Sequence, residues 1–94
     1  INKINFPIEN LDISEYVNDN SDFKHKSKYN LFAVNYHHSL GNNFSCSYGH
    51  YTSIVKNRLD NEWYRFDDNN LSKVNFEEDL IDRNAYLLFY YRTN

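Results

Sequence analysis

In the stretch YNLFAVNYH (Tyr29–His37), apolar side chains occupy both alternating sets of positions. Leu31 and Ala33 fall on one face of a strand with a period of two residues, and Phe32 and Val34 fall on the other. A strand that is apolar on both faces is typical of the interior of a sheet. The stretch therefore predicts a central strand.

Most of the remaining predicted elements are also strands. Downstream, the patterns predict strands at Gly49–Lys56, Glu62–Phe66 and Leu71–Val74 and a buried aromatic strand at Ala85–Tyr91. Upstream, Ile4–Phe6 predicts a short strand that Pro7 ends, Leu11–Val17 one or two helical turns, and residues 18–28 a flexible polar excursion. We expect Trp63, Tyr64, Tyr86, Phe89 and Tyr90 to be core side chains and His25 and His38 to be exposed.

One short helix is predicted late in the chain. Asn75 is a suitable N-cap, and Glu77, Glu78 and Asp79 would place negative charge in the first turn, where the helix dipole favours it. An antiparallel meander with one short helix is an α+β fold. Ninety-four residues are enough for one small domain. Because the sequence starts without an initiator methionine or a signal pattern, we expect a piece of a longer chain.

Composition excludes several classes of function. The net charge is −3, and the basic residues form no periodic stripe, so nucleic-acid binding is not expected. The longest apolar run is too short to span a membrane. The single cysteine, Cys46, excludes an internal disulfide and suits a reducing compartment, so we expect an intracellular protein, cytoplasmic or nuclear.

A histidine and two aspartates are expected to meet at one end of the sheet. His50 begins one predicted strand, and Asp67 and Asp68 end the next. Antiparallel neighbours bring the start of one strand beside the end of the other, so His50 and Asp67 should be within hydrogen-bonding reach. Such a carboxylate holds the imidazole tautomer and stabilises the imidazolium. By pattern alone, a His–Asp pair on a hairpin is more often surface decoration than a catalytic site.

Five ordered blocks resemble the C-terminal part of the catalytic domain of the ubiquitin-specific proteases, also called ubiquitin carboxyl-terminal hydrolases. The blocks are Phe6-Pro7-Ile8-Glu9-Asn10-Leu11-Asp12, Tyr29-Asn30-Leu31-Phe32-Ala33-Val34, Gly49-His50-Tyr51, Trp63-Tyr64-Arg65-Phe66-Asp67-Asp68 and Ala85-Tyr86-Leu87-Leu88-Phe89-Tyr90. The family has a Phe-Pro stretch, a Tyr-x-Leu-x-Ala-Val strand, a Gly-His-Tyr box, a Trp-x-x-Phe-Asp-Asp segment and an Ala-Tyr-x-Leu-Phe-Tyr strand in this order. The resemblance covers residues 1–94 nearly end to end.

The resemblance implies a papain-like cysteine protease fold. Residues 1–94 would be the C-terminal, antiparallel-sheet (palm) portion of a single catalytic domain, incomplete without its N-terminal lobe. The implied activity is that of a deubiquitinating thiol hydrolase, which cleaves the isopeptide or peptide bond after the C-terminal glycine of ubiquitin. The implied partners are ubiquitin, ubiquitinated proteins and the N-terminal lobe, and no cofactor is implied.

The same resemblance suggests roles for six residues. His50 would be the general base, Asp67 its orienting carboxylate, and Asp68 an auxiliary polar group near the oxyanion. Gly49 and Tyr51 would line the narrow channel that admits the Gly-Gly tail of ubiquitin. His37 would be a contact on the substrate side.

The sequence departs from the family pattern in two places. The nucleophile box, with its Asn, Thr-Cys pair and following helix, is absent. Cys46 lies only four residues before His50, whereas the family's nucleophile comes from another lobe, so the chain alone is expected to be inactive. The second departure is the segment 39–48, which borders the tail channel in the family and is longer and less glycine-rich than usual.

Two alternatives concern metal and function. The family's zinc-binding Cys-x-x-Cys pairs are absent, and the spacing of His37, His38, Cys46 and His50 does not suit zinc, so no metal is expected. A non-catalytic ubiquitin-binding or scaffold domain of the same fold stays open as a function. The joint presence of a base and two carboxylates favours the catalytic alternative. One short helix would leave much aromatic surface of the sheet uncovered in the chain alone.

Overall fold

The computed structural model describes residues 4–38 and 49–94, which form a six-stranded antiparallel sheet. The strands are β1 (Leu11–Asp12), β2 (Lys28–His38), β3 (His50–Lys56), β4 (Trp63–Asp67), β5 (Asn70–Val74) and β6 (Ala85–Arg92). Strands β1 to β5 pair in chain order, and β6 pairs with β2. Two single 3-10 turns, Ser14–Tyr16 and Glu77–Leu80, complete the elements. In the described part of the chain, no helix has the length and apolarity that crossing a membrane requires.

Strand β2 is the centre of the sheet, as its doubly apolar pattern predicts. Its residues Ala33 to Tyr36 pair with β3 on one side and with β6 on the other. The β2–β6 register shifts between Leu31 and Ala33, which is the irregularity of a β-bulge. Phe32 lies at this shift, and its ring centroid is 6.2 Å from those of both Phe89 and Tyr91.

The core lies on one face of the sheet. Its buried apolar members are Phe6, Leu31, Val34, Tyr36, Ile54, Trp63 and Leu80. The Tyr36 hydroxyl donates a 2.5 Å hydrogen bond to the Leu80 carbonyl, which attaches the Glu77–Leu80 turn to β2. Burial raises the pKa of Tyr36, so this hydroxyl stays protonated and satisfies the carbonyl that would otherwise lose its hydrogen bond.

Strand β6 is largely uncovered in the described structure. Leu87 is 47% exposed, and Tyr86 and Phe89 are 46% and 38% exposed. The prediction of a buried strand with Tyr86 and Phe89 in the core is therefore wrong for this chain. Trp63, at 4% exposed, is a core residue as predicted, and Tyr64 and Tyr90 are half-buried. The uncovered aromatic side chains agree with the expectation that one short helical segment cannot cover the sheet.

Three local elements differ from their predictions. Residues 4–7 form no strand, because Phe6 turns into the core and the Pro7 carbonyl accepts a hydrogen bond from the Tyr90 hydroxyl at 2.6 Å. The segment Leu11–Val17 contributes strand β1 and one 3-10 turn. The late helix is only the turn Glu77–Leu80, which begins after Phe76 and has no side-chain cap. Burial of Leu80 sets this turn, so packing overrides the capping signal.

Residues 18–28 are turns and the first residue of β2, and the polar excursion predicted there has specific contacts. The Lys24 ammonium donates hydrogen bonds to the carbonyl oxygens of Ser14 and Val17, at 2.7 and 3.2 Å. Ser27 is buried, and its hydroxyl donates to the Phe23 carbonyl at 2.7 Å. The Lys24 bonds hold the polar segment against the 3-10 turn that follows β1.

Candidate functional site

The β3–β4 hairpin brings His50 to Asp67. Its pairing runs from Lys56 opposite Trp63 to Ser53 opposite Phe66, and the alternation of side chains places His50 and Asp67 on the same face. The His50 Nε2 and Asp67 Oδ1 atoms lie 2.6 Å apart, which confirms the predicted hydrogen bond through one imidazole nitrogen. The other nitrogen, Nδ1, has no hydrogen-bond partner among the described residues. The pair therefore offers one ring nitrogen for proton transfer.

The carboxylates control the charge of His50. The hydrogen bond that His50 donates to Asp67 raises the pKa of His50, partial desolvation opposes this, and the negative charges of Asp67 and Asp68 add to the increase. Both members of the pair are partly open to solvent, with 43% of each side chain exposed. The arrangement favours the imidazolium form, which a base adopts after it takes a proton.

The pKa of His50 in the folded protein is expected to lie above 6.5 and to fall in an Asp67→Asn variant, because the amide cannot supply the negative charge. A raised folded-state pKa means that the pair stabilises the fold fully below pH 6.5 and loses this contribution as the pH rises through the folded-state value. Titration of the histidine ring protons by NMR measures the shift. Asp60→Asn, which changes a carboxylate bonded to Tyr64, is the matched control. A His50 titration that is unchanged by Asp67→Asn would contradict the assignment.

Gly49 lies just before His50 and has a backbone conformation that suits glycine, with φ at +135°. A Cβ atom at this position would overlap the backbone oxygen of His38 and lie 2.7 Å from His37 Nε2. The absence of a side chain therefore allows the chain to pass close to the end of β2. The close approach seen here is to the protein's own backbone, a reason for glycine that the sequence did not reveal.

The structure divides the six predicted site residues between the two faces of the sheet. His50 and Asp67 share the core face with the pocket described below, whereas alternation places His37 and Tyr51 on the opposite face. The ring centroids of His37 and Tyr51 are 4.6 Å apart, and Tyr86 lies 6.3 Å from each of them. Gly49 precedes β3 and lies against the end of β2, next to His37 and His38.

Asp68 lies close to His50 and Asp67. It lies in the β4–β5 turn with φ at +52°, and one ligand atom from each of His50, Asp67 and Asp68 falls within 4.8 Å of the others. Such a set offers one nitrogen and two oxygens to a cation, although Asp67 already binds the imidazole. The zinc set weighed from the sequence includes Cys46, which lies outside the described residues, as does all of segment 39–48.

A polar pocket of about 210 Å³ adjoins the pair on the core face. Its lining residues are Tyr36, His38, Thr52, Arg65, Asp67, Asp79 and Asp82. His38 is half-buried, and its Nε2 lies 3.0 Å from Thr52 Oγ1, so the prediction of an exposed His38 is wrong. The register that places His38 opposite His50 is seen only in the structure, and no local sequence pattern indicated it.

Comparison of the sequence with known proteins shows the family of this chain. A model of the ubiquitin carboxyl-terminal hydrolase family matches residues 1–90. Ubiquitin carboxyl-terminal hydrolase 9 of Arabidopsis thaliana is 43% identical over 90 residues, which are 95% of this chain and 9% of that protein. Ubiquitin carboxyl-terminal hydrolase 12 of Saccharomyces cerevisiae is 44% identical over 90 residues, 95% of this chain and 6% of that protein.

A solved structure supports the fold. A chain of the Ubp8-Sgf11-Sgf73-Sus1 SAGA DUB module is similar with a TM-score of 0.57 and 28% sequence identity, over 71% of this chain and 14% of that chain. The predicted α+β palm portion of the papain-like fold is confirmed, with single 3-10 turns in place of the helix. This chain spans less than a tenth of the length of the curated relatives named above. The chain belongs to the ubiquitin carboxyl-terminal hydrolase family.

Proposed function

We propose that this chain is the part of a deubiquitinating thiol hydrolase that supplies the general base and its orienting carboxylate. The observation that carries the proposal is the 2.6 Å contact between His50 Nε2 and Asp67 Oδ1. It joins the two residue types that thiol hydrolysis requires beside its nucleophile. Family membership supports the substrate class, since the family is named for hydrolysis at the carboxyl terminus of ubiquitin.

In the proposed mechanism, His50 acts through Nδ1, because Asp67 occupies Nε2. Nδ1 takes the proton of a cysteine thiol, and the thiolate attacks the carbonyl carbon of the last glycine of ubiquitin. The imidazolium then returns its proton to the leaving amine as the C–N bond breaks, which leaves a thioester. A water molecule that loses its proton to His50 hydrolyses the thioester and regenerates the thiol.

Each carboxylate has a separate role in this proposal. Asp67 holds the imidazole in the tautomer that leaves Nδ1 unprotonated, and its charge stabilises the imidazolium. Asp68 lies in the adjacent turn with a left-handed backbone and serves as an auxiliary polar group, whose negative charge adds to that of Asp67 in stabilising the imidazolium. Both aspartates come from the end of β4 or the turn after it, so one hairpin positions the base and its two carboxylates.

The nucleophile comes from another part of the protein in this proposal. Cys46 precedes the base by four residues in the same connection, too close in sequence to approach it from a separate lobe. The curated relatives named above are more than ten times longer than this chain, which leaves room for a lobe that carries the thiol. We further propose that this N-terminal lobe covers exposed aromatic and apolar side chains of β6, such as Leu87 and Phe89, and that the protein acts inside the cell.

The substrate tail would enter beside Gly49. Gly49 is exposed and has no side chain, and the rings of His37, Tyr51 and Tyr86 cluster on the face beside it. A glycine-glycine tail is narrow, so a backbone without a side chain at the entrance suits close approach. Gly49 and Tyr51 would thus line the channel, and His37, whose ring lies 4.6 Å from that of Tyr51, would be a contact on the substrate side.

The test compares the activity of this chain alone with that of the complete catalytic domain. The 94-residue chain alone is expected to show no hydrolysis of a ubiquitin C-terminal fluorogenic amide, because it lacks a thiolate beside the base. The complete domain that contains the chain is expected to hydrolyse the amide and to react with a ubiquitin probe that has an electrophilic C-terminus. Hydrolysis by the chain alone that Cys46→Ser abolishes would overturn the assignment of the nucleophile. Probe binding without any reaction by the complete domain would instead support a ubiquitin-binding scaffold.

A further inference from the structure

A second imidazole borders the His50 ring on the side of β2. His38 and His50 are cross-strand partners, and their ring centroids lie 6.3 Å apart. His38 Nε2 is 3.0 Å from Thr52 Oγ1. Thr52 is only 8% exposed, so its hydroxyl has little access to water and His38 satisfies it. This hydrogen bond restricts the rotation of the His38 ring.

Tyr36 also restrains the His38 ring. The rings of Tyr36 and His38 stack, with centroids 6.4 Å apart and an angle of 21° between their planes. Tyr36 is buried, and its hydroxyl is bonded to the Leu80 carbonyl, so it is a rigid support. His38 is therefore held by a hydrogen bond and by a stacked ring, in the position beside His50.

We propose that His38 and Thr52 form a positioning pair that keeps the His50 ring turned toward Asp67. The inference rests on the proposed function, since it concerns the base of that reaction. With 43% of its side chain exposed, His50 has space to leave the carboxylate by rotating about its side-chain torsions. The fixed His38 ring fills the space on the β2 side, so the His50 side chain cannot rotate in that direction. The base is then preorganised before the thiol and the substrate arrive.

The test compares two single variants and their combination in the complete catalytic domain. Thr52→Val removes the hydroxyl at nearly constant volume, and His38→Phe keeps a ring but loses the hydrogen bond. Each is expected to lower kcat about 10-fold with KM within about twofold of the original, because the geometry of the base changes and ubiquitin binding does not. The double variant is expected to be no slower than either single variant, because both remove one hydrogen bond. Thr52→Ser restores the hydroxyl and is expected to restore kcat.

Ser53→Ala is the matched control for a general weakening of the sheet. The Ser53 hydroxyl donates a 2.9 Å hydrogen bond to Asn35 Oδ1, between the same two strands but on the opposite face. Its kcat is expected to stay within about twofold of the original. A melting temperature for each variant identifies any loss of folded protein. If Thr52→Val does not fold, the kcat of His38→Phe is compared with that of Thr52→Ser instead.

A second readout does not depend on ubiquitin. The rate of alkylation of the catalytic thiol by iodoacetamide at neutral pH reports the thiolate–imidazolium pair, and it is expected to fall in Thr52→Val and not in Ser53→Ala. An unchanged kcat in both single variants, or a rise in KM alone, would overturn the positioning role. Neither result would contradict the assignment of His50 as the general base, because that assignment depends on the loss of activity in His50→Ala. Activity in His50→Ala would reject both proposals.

Discussion

The His50→Ala variant of the complete catalytic domain is expected to lose turnover by a factor of at least about 10³. Alanine cannot take the proton of the thiol at the position that Nδ1 occupies, and no other imidazole in the described part of the chain is hydrogen-bonded to Asp67. His38 does not replace it, because its Nε2 is bonded to Thr52 and it lies on the neighbouring strand. Steady-state kinetics with a ubiquitin C-terminal amide measure the loss. Equal kinetics for His50→Ala and the original protein would reject the general-base assignment.

The Asp67→Ala variant is expected to lose less, on the order of 10²-fold, because the carboxylate orients the base and does not itself transfer the proton. Asp68 lies close enough to His50 to raise its pKa, so part of the electrostatic effect survives. Asp60→Ala is the matched control, since Asp60 also accepts a side-chain hydrogen bond but lies at the opposite end of the hairpin. A loss in Asp67→Ala as large as that in His50→Ala would contradict the division of roles.

The Gly49→Ala variant is expected to reduce kcat/KM about 100-fold, because a displacement of roughly 1 Å at a catalytic group costs about that factor. The added Cβ would meet the backbone oxygen of His38, which cannot rotate away as a side chain can. The strand end must shift, and His50 is the next residue. The φ of +135° adds backbone strain, which costs on the order of 1–3 kcal/mol for a residue other than glycine.

Activity and thermal unfolding together measure this effect. Asn61→Ala is the matched control, because Asn61 also has a positive φ, +59°, but lies in the turn at the far end of the β3–β4 hairpin. It is expected to lose some stability and to keep full kcat/KM. An active Gly49→Ala domain with an unchanged melting temperature would show that the end of β2 tolerates a side chain there.

The sequence predicted the central strand and the hydrogen-bonded pair His50–Asp67 because both depend on local patterns. Apolar residues at both alternating sets of positions placed β2 inside the sheet. Because a short turn joins β3 and β4, the sequence alone showed that the start of β3 lies beside the end of β4. The pairing of His50 with Asp67 followed from this single hairpin. Such local relations need no knowledge of the rest of the protein.

The exposure of β6 and the contact of His38 with Thr52 could not be predicted in the same way. An apolar, aromatic strand predicts burial, but burial depends on the segments that cover it, and the described chain leaves Leu87 and Phe89 open. The His38 contact requires the register of β2 against β3, which are separated by segment 39–48 rather than by a tight turn. The capping signal at Asn75 failed because the burial of Leu80 determines where the turn forms.

The pairing of β6 with β2 has a consequence for the order in which the protein folds. Tyr29 pairs with Arg92, so one edge of the central strand has no neighbour until β6 has been synthesised. Closing so long a loop slows folding, and during this interval the apolar edge of β2 presents unpaired N–H and C=O groups. An unpaired apolar edge is a template for association with other chains. The edge of β2 that pairs with β6 is therefore open to association with other chains from the emergence of β2 until β6 closes the sheet.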